Sequence, residues 1–467
     1  MSNQSISDDR YRMMTETPTG SLVMKLGLPT TVSVLVTTIY NMADTKFVSS
    51  LGTSQSGAVG VVFALMAIIQ AFGFMFGHGA GSNIGRLLGA HNTERAGSFA
   101  STSVLFGLTT GVLMTVFGLI FIEPLMNLLG STPTILPFAK EYAFYILLAA
   151  PFMVLGCITN NILRYEGKAT FAMIGLVSGG VLNIIGDYIL IEVVGLGVSG
   201  AGIATAVSQC IACAILLVPF FTGKTQSRLS LKSIFRDPED PGRMHPYLFD
   251  WAMVGSIIAI GLPSLMRQGL NSISTMILNF SAKPYGDAAI SAMGIVAKVI
   301  GFLFCIGLGI GQGFQPVAGF NYGARKYSRV KSAYRFTLVF SMILLGIAGC
   351  FGFIFAERIV TMFRDDPEVI TIGTAALRFQ SVSLLFLPIT VTGNMLFQST
   401  GKSIRATFLA ATRSGLFFIP TILILRGPLG LTGIECSQAI ADFLGGLTTI
   451  PFVVTFLRSF PPDGEPS

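Results

Sequence analysis

Gly27-Leu28-Pro29 recurs as Gly261-Leu262-Pro263, 234 residues later, and each copy opens a long apolar stretch. Held at that offset without a gap, Gly52 falls on Gly286, Gly60 on Gly294, Gly73 on Gly307, Gly77 on Gly311, Gly79 on Gly313, Gly85 on Gly319 and Gly89-Ala90 on Gly323-Ala324. Glycine lets a helix bend or a second helix come close, so a shared glycine ladder implies shared backbone geometry. The chain reads as two copies of one bundle. Duplicated bundles of this kind are how many membrane carriers place a central site that opens to each side in turn.

Composition narrows the class. Hydrophobic residues are 52% of the 467-residue chain and charged residues 11%, with a mean hydropathy of +0.71. An ordinary soluble domain carries about 25% charged residues. An all-α polytopic membrane protein follows, because a chain in lipid must satisfy its backbone internally. With one Trp against 38 Phe and 11 Tyr, any interfacial belt rests on Tyr and Phe. Cys157, Cys210, Cys213, Cys305, Cys350 and Cys436 all lie in or beside apolar runs, so Cys210-x-x-Cys213 reads as buried thiols and no disulfide framework is implied. The first 20 residues are polar with no apolar core before Leu22, and no cleaved signal peptide is expected.

A spanning helix takes about 20 mostly apolar residues. Twelve such stretches are read: 22–44, 54–80, 97–121, 138–161, 170–191, 198–221, 251–280, 286–316, 333–355, 370–396, 405–425 and 430–457. They form two pseudo-symmetric six-helix lobes, 21–222 and 251–458, between a tail over 1–20 and a tail over 459–467. The polar stretch 223–250, with Pro238, Pro241 and Pro246, reads as the inter-lobe linker. Placing both termini in the cytoplasm puts 21 of the 30 Lys and Arg on inside segments, among them Arg86, Arg95, Arg164, Lys168, Arg325, Lys331 and Arg335. That asymmetry accounts for the net charge of +7. Scattered over short loops without interleaved aromatics, these charges exclude a nucleic-acid partner.

Ionisable groups at bilayer depth are costly and therefore mark function. Asp44 ends the first span in Tyr40-Asn41-Met42-Ala43-Asp44-Thr45, Asp187 sits in the fifth in Asn183-Ile184-Ile185-Gly186-Asp187, and Glu435 and Asp442 lie in the twelfth. Asn183 and Asp187 are four apart and share a helical face. A poorly hydrated carboxylate there could take up and release a proton near neutral pH, or with Asn and Thr oxygens could hold sodium. The plainer alternatives are an interfacial charge for Asp44 and a structural hydrogen-bond node for Asp187. Arg267 and Lys298 could snorkel or pair across helices, and His78, between Gly77 and Gly79, is either a proton-relay member or a satisfied core histidine. Three scattered His and no His-Glu-x-x-His run give no metal centre, and the Gly-x-Gly runs lie within spans with no Walker-type Gly-Lys-Ser/Thr sequence. No cofactor is expected, and an ion gradient is left as the energy source.

The order and spacing of these motifs resemble one family. Gly-Leu-Pro opening each half, Asn41-Met42-Ala43-Asp44-Thr45 followed by Leu51-Gly52, and Gly85-Arg86-Leu87-Leu88-Gly89-Ala90 are part of the pattern. Arg164-Tyr165-Glu166-Gly167-Lys168, Asn183-x-x-x-Asp187 and Gly197-x-x-Gly200-Ala201-Gly202-x-Ala204-Thr205 complete it. Over about residues 20–457 the chain resembles the multidrug and toxic compound extrusion (MATE) family, and within it the bacterial branch of DNA-damage-inducible and staphylococcal-type exporters. The resemblance implies a V-shaped pair of lobes around an alternating cavity. It implies exchange of protons or sodium ions for amphipathic, mostly cationic drugs across a bacterial inner membrane, by a monomer among membrane lipids.

The family's cation site maps onto Asp44, Asn183, Asp187 and Thr205, which would also be the residues for any Na+. Asn41, Tyr40, His78, Arg267, Gln268, Asn271 and Lys298 are the polar candidates for the cavity wall. Some family members carry acids in the seventh and tenth spans, but Arg267-Gln268-Gly269-Leu270-Asn271 and 379–396 hold none, which assigns coupling to the first lobe. A lipid-linked saccharide flippase of the same superfamily is the alternative. It calls for several cavity arginines to hold a diphosphate, where this chain offers Arg267 and Lys298. An enzyme is not expected, since the spans show no convincing paired acid and base facing one cavity.

Overall fold

The computed structural model describes residues 3–230, 234 and 250–466, so most of the expected linker 223–250 lies outside the described residues. Among those described, every regular element is helical. A short helix α1 (Asn3–Glu16) precedes α2 (Thr19–Ser49), α3 (Thr53–Gly89), α4 (Thr93–Ile120), α5 (Ile122–Leu128), α6 (Leu136–Tyr165), α7 (Ala169–Asp187) and α8 (Gly197–Phe221). Then follow α9 (Trp251–Ala282), α10 (Gly286–Gly323), α11 (Tyr327–Ile354), α12 (Ala356–Phe363), α13 (Pro367–Ser383), α14 (Leu387–Ser399), α15 (Ser403–Ala411), α16 (Phe418–Leu425) and α17 (Gly430–Arg458).

Each of the twelve apolar stretches read from the sequence coincides with helix. Among the described residues ten helical segments are long and apolar enough to cross a membrane, and α13 with α14, bent by 49°, form an eleventh. One of the ten, Trp251–Gly323, runs for 73 residues and is broken by the turn Lys283–Tyr285 into α9 and α10. At about 1.5 Å per residue that segment is far longer than one crossing requires. Exposed Val112, Leu113, Val116, Phe117 and Ile120 on α4 give an apolar outer face of the kind lipid covers.

The repeat is visible in the backbone. Gly167 and Gly401, 234 apart, both adopt positive φ (77° and 80°) just after α6 and α14. In each turn the same 6→1 bond closes the helix: Lys168 N–H to Leu163 C=O at 2.8 Å, and Lys402 N–H to Phe397 C=O at 2.9 Å. Asn160 donates to the Ala172 carbonyl at 3.1 Å and Asn394 to the Ala406 carbonyl at 2.5 Å, again at one offset.

Compactness divides the chain elsewhere than at the linker. One unit comprises Met1–Arg10 and Val32–Gly261, the other Tyr11–Thr31 and Leu262–Ser467. The boundaries fall inside α2 and α9, within two residues of each Gly-Leu-Pro copy. The leading half of α9 packs in the first unit, where a side-chain carbon on Gly79 would strike the Ile257 carbonyl and one on Gly261 the Met75 carbonyl. The leading half of α2 packs in the second, with Gly27 against Gly313 and Gly309 against Thr31. A glycine on at least one side of each contact lets the two backbones approach closely, which explains why the ladder is shared.

In the first unit α6 is the central helix, packed on α3, α4, α7 and α8, and Tyr142, Ile146, Val154, Ile158 and Ile162 on it are fully buried. The core of the second unit gathers Ala292, Met293, Val296, Leu377, Leu384 and Phe418.

Candidate functional site

The four residues assigned to cation coupling lie in the first unit on three helices: Asp44 on α2, Asn183 and Asp187 on α7, Thr205 on α8. They are 2%, 1%, 0% and 2% exposed, so the acids are sealed from water. A fifth residue joins them. The Tyr142 hydroxyl on α6 donates to Asp44 Oδ2 at 2.9 Å and is also hydrogen-bonded to Thr205. Asn183 Nδ2 donates to Thr205 Oγ1 at 3.1 Å. Asn183, Thr205, Tyr142 and Asp44 thus form one unbroken chain of hydrogen bonds through four helices, and Asp44 lies close enough for Asp187 to feel its charge.

Small residues allow this convergence. Gly180 on α7 lies against Tyr40 and Val36 of α2, Gly186 against Ala204 of α8, and Gly202 against Tyr142 and Tyr145 of α6. A π-helical turn, Tyr188–Val193, follows Asp187 directly and widens the helix at the site.

The cluster is under-satisfied. Among the described residues neither Asp187 oxygen has a hydrogen-bond partner, and Asp44 Oδ1 and Asn183 Oδ1 lack one as well. Four buried acceptors without donors, two of them on one carboxylate, are what a proton or a small hard cation would satisfy.

The remaining wall candidates are dispersed. Tyr40 is buried on α2, with Gln209 Nε2 donating to its hydroxyl at 3.4 Å; Asn41 beside it is half-buried. Arg267 and Gln268, on α9 in the second unit, are half-buried, and Arg267 Nη1 donates to Asn394 Oδ1 at 3.4 Å. Asn271 and Lys298 are exposed. His78 is 1% exposed. Its Nδ1 is 3.2 Å from the Phe74 carbonyl, so it donates there, and Nε2 is left to accept from Arg164 at 3.3 Å. Arg164 also donates to Asn161 Oδ1 at 2.5 Å.

Arg164 and Lys168, counted from sequence as loop charges, are each 4% exposed. Glu166 between them is 3% exposed. Its carboxylate accepts from the Gln226 N–H at 3.0 Å, the Ser227 N–H at 2.8 Å and the Ser227 hydroxyl, and lies 3.5 Å from Lys168 Nζ. Burial pulls the Lys168 ammonium down to about 8 against the pull of Glu166. Tyr142 was missed by sequence reasoning; the available signal was a phenol inside a span, which when buried needs a partner.

Comparison with known proteins agrees with this fold. The family model described as MatE matches residues 29–189 and again 263–424, two segments that start 234 residues apart. The multidrug export protein MepA of Staphylococcus haemolyticus is 27% identical over 455 residues, covering 97% of each chain. The MepA of Staphylococcus aureus is 27% identical over 454 residues, again at 97% coverage of both. Among solved structures, a multidrug resistance MATE family transporter in an outward-facing conformation matches with a TM-score of 0.88 at 25% identity, covering 96% of this chain and 98% of that one. A MATE in the straight conformation matches with a TM-score of 0.88 at 26% identity and the same coverage.

Proposed function

The chain belongs to the MatE family of membrane transporters, and from that premise we propose that it exports amphipathic, mostly cationic compounds in exchange for protons or sodium ions. The relatives named above are multidrug export proteins, which supports the substrate class. The observation that carries the ion-coupled reading is Asp187, fully buried inside a membrane span with no hydrogen-bond donor on either oxygen among the described residues.

Two carboxylates and two neutral oxygen-bearing side chains form a site for one small cation or for protons. With both acids ionised, the cluster holds like charges in a poorly hydrated interior, which favours uptake of positive charge. Tyr142 steadies Asp44 while Asp187 is left open to receive the ion. Uptake neutralises the field that draws a cationic drug and changes the partners available to α2, the helix that carries Asp44. Ion and drug must bind two states with different affinities for one to move the other. The protein works as a monomer among membrane lipids of a bacterial inner membrane, with both termini cytoplasmic and no cofactor.

The deciding experiment measures ethidium or fluoroquinolone efflux in cells making Asp44→Asn or Asp187→Asn, with proton and sodium gradients collapsed separately. Efflux lost in both variants, and on collapse of one gradient only, is the expected result and names the ion. Efflux equal to wild type in both variants removes the site from the mechanism.

A further inference from the structure

A groove of about 600 Å³ lies on the surface of the second unit, lined along α11 by Lys331, Ser332, Arg335, Phe336, Val339, Phe340 and Ile343. Lys331, Arg335, Val339 and Ile343 are spaced by four and form one straight stripe on the helix, two cations followed by two aliphatics. All four are exposed. Phe336 and Phe340 flank the stripe, with rings stacked at 5.6 Å and only 10° apart in plane. From Lys331 to Ile343 the stripe is about 18 Å long at about 1.5 Å per residue, close to the ~15 Å depth of one bilayer leaflet.

The charged end has no protein counter-ion among the described residues. Among the described residues neither Lys331 nor Arg335 forms an ion pair or a hydrogen bond, and Lys331 sits over the Phe460 ring at 5.7 Å. Asp463, in the neighbouring tail, is occupied elsewhere: it accepts from the Ser328 N–H at 2.8 Å and from the Ser328 hydroxyl.

The internal repeat supplies an independent comparison. Lys331, Arg335 and Phe336 correspond at the 234 offset to Gly97, Ser101 and Thr102 on α4. There the protein covers its own surface. Gly97 lies against the Arg228 backbone, Ser101 Oγ accepts from the Ser230 N–H at 2.9 Å, and Thr102 donates to Met253 Sδ at 3.5 Å. In the second unit the start of α2 meets part of the groove's lining, with Thr19 bonded to Ser332 at 2.8 Å and Gly20 against Phe336, and leaves Lys331 and Arg335 exposed. At Lys331 and Arg335 the strip that chain covers in one copy is open and basic in the other.

We propose that this groove binds one anionic phospholipid, its phosphate held by Lys331 and Arg335 and one acyl chain laid over Phe336 and Phe340 and along Val339 and Ile343. Arg offers a forked pair of donors to a phosphate and Lys a second point charge one helical turn away. A basic pocket at a helix end beside an apolar stripe is the chemistry that selects anionic headgroups over zwitterionic ones. Under the positive-inside rule this end of α11 faces the cytoplasmic leaflet. A cationic drug is disfavoured here by the same two charges.

The test is lipid retention by the purified full-length protein in mild detergent, read by native mass spectrometry with added phosphatidylglycerol or phosphatidylcholine. Wild type should retain phosphatidylglycerol preferentially, and K331E/R335E should cut that retention more than about thirty-fold, since loss of each cation alone costs about 1 kcal/mol. Val339→Trp keeps both charges but fills the chain stripe, and it too should lower retention. If the charge reversal does not fold, K331Q/R335Q carries the same readout with a smaller drop. Equal retention of the two lipids by wild type, or phosphatidylglycerol retention unchanged in the charge variants, overturns the proposal. Displacement of the lipid by millimolar inorganic phosphate also overturns it, reducing the groove to an anion patch.

Discussion

Tyr142 and Asp44 are joined by a 2.9 Å hydrogen bond, phenol to carboxylate, between helices whose residues stand 98 apart in the chain. A bond to a charged acceptor in a water-free interior contributes about 1.5–3 kcal/mol. Tyr142→Phe should therefore lower thermal stability and slow efflux. In an Asp44→Asn background the same change should add little, because its partner charge is already gone. A double-mutant cycle of melting temperatures checks this, and strictly additive effects would break the link between the two residues.

Asp187 sets stability against function. An ionised carboxylate buried without donors is unfavourable, and its removal should help the fold while ending transport. At pH 9, Asp187→Asn is expected to melt about 2 °C or more above wild type while its drug efflux falls to background. Calorimetry or dye-based melting beside vesicle transport measures both. A variant that melts lower at that pH contradicts the orphaned state of the side chain.

Asn160 and Asn394 make the same bond in the two units, each to a carbonyl twelve residues downstream. Replacing either by Leu removes that bond and should cost about 0.5–1.5 kcal/mol. The two sites share no partner, so the double variant should lose the sum. Denaturation of the single and double variants in detergent tests it; a loss at one site only would show that the repeat is not energetically equivalent there.

Lys168 gives a pH signature. Its ammonium sits near 8 in the fold against 10.5 for the free side chain, lowered first by burial. Between those values the unfolded chain binds more protons, so this group makes the fold more stable as pH rises from about 8 to about 10.5. Below about 8 it contributes no slope. Lys168→Met should flatten the difference in melting temperature across that window and leave it unchanged between pH 6 and pH 7.

The duplicated bundle was legible because glycine and proline carry backbone information directly, as the Gly167 and Gly401 turns show. The two acids of the site were legible for a different reason: a carboxylate in a lipid-spanning run stands out against its surroundings. What the sequence withheld was adjacency. Tyr142 is one of 11 tyrosines, and only folding brings its hydroxyl to Asp44. Arg164 and Lys168 pass for solvated loop charges until Asn161, His78 and Glu166 are seen around them. Nor does an apolar run say which bundle it will join, so the exchange of the leading halves of α2 and α9 could not be read from hydropathy.

That exchange bears on how the molecule is made. The strip Trp251–Gly261 that completes the first bundle leaves the ribosome only after the whole of that bundle, so the earlier half must wait unfinished in the translocon. The later half faces no such delay, since its borrowed strip, Tyr11–Thr31, was synthesised at the outset. Severing the chain between 230 and 250 would give two fragments that each lack their own strip and carry the other's, able to rebuild the transporter only when produced side by side.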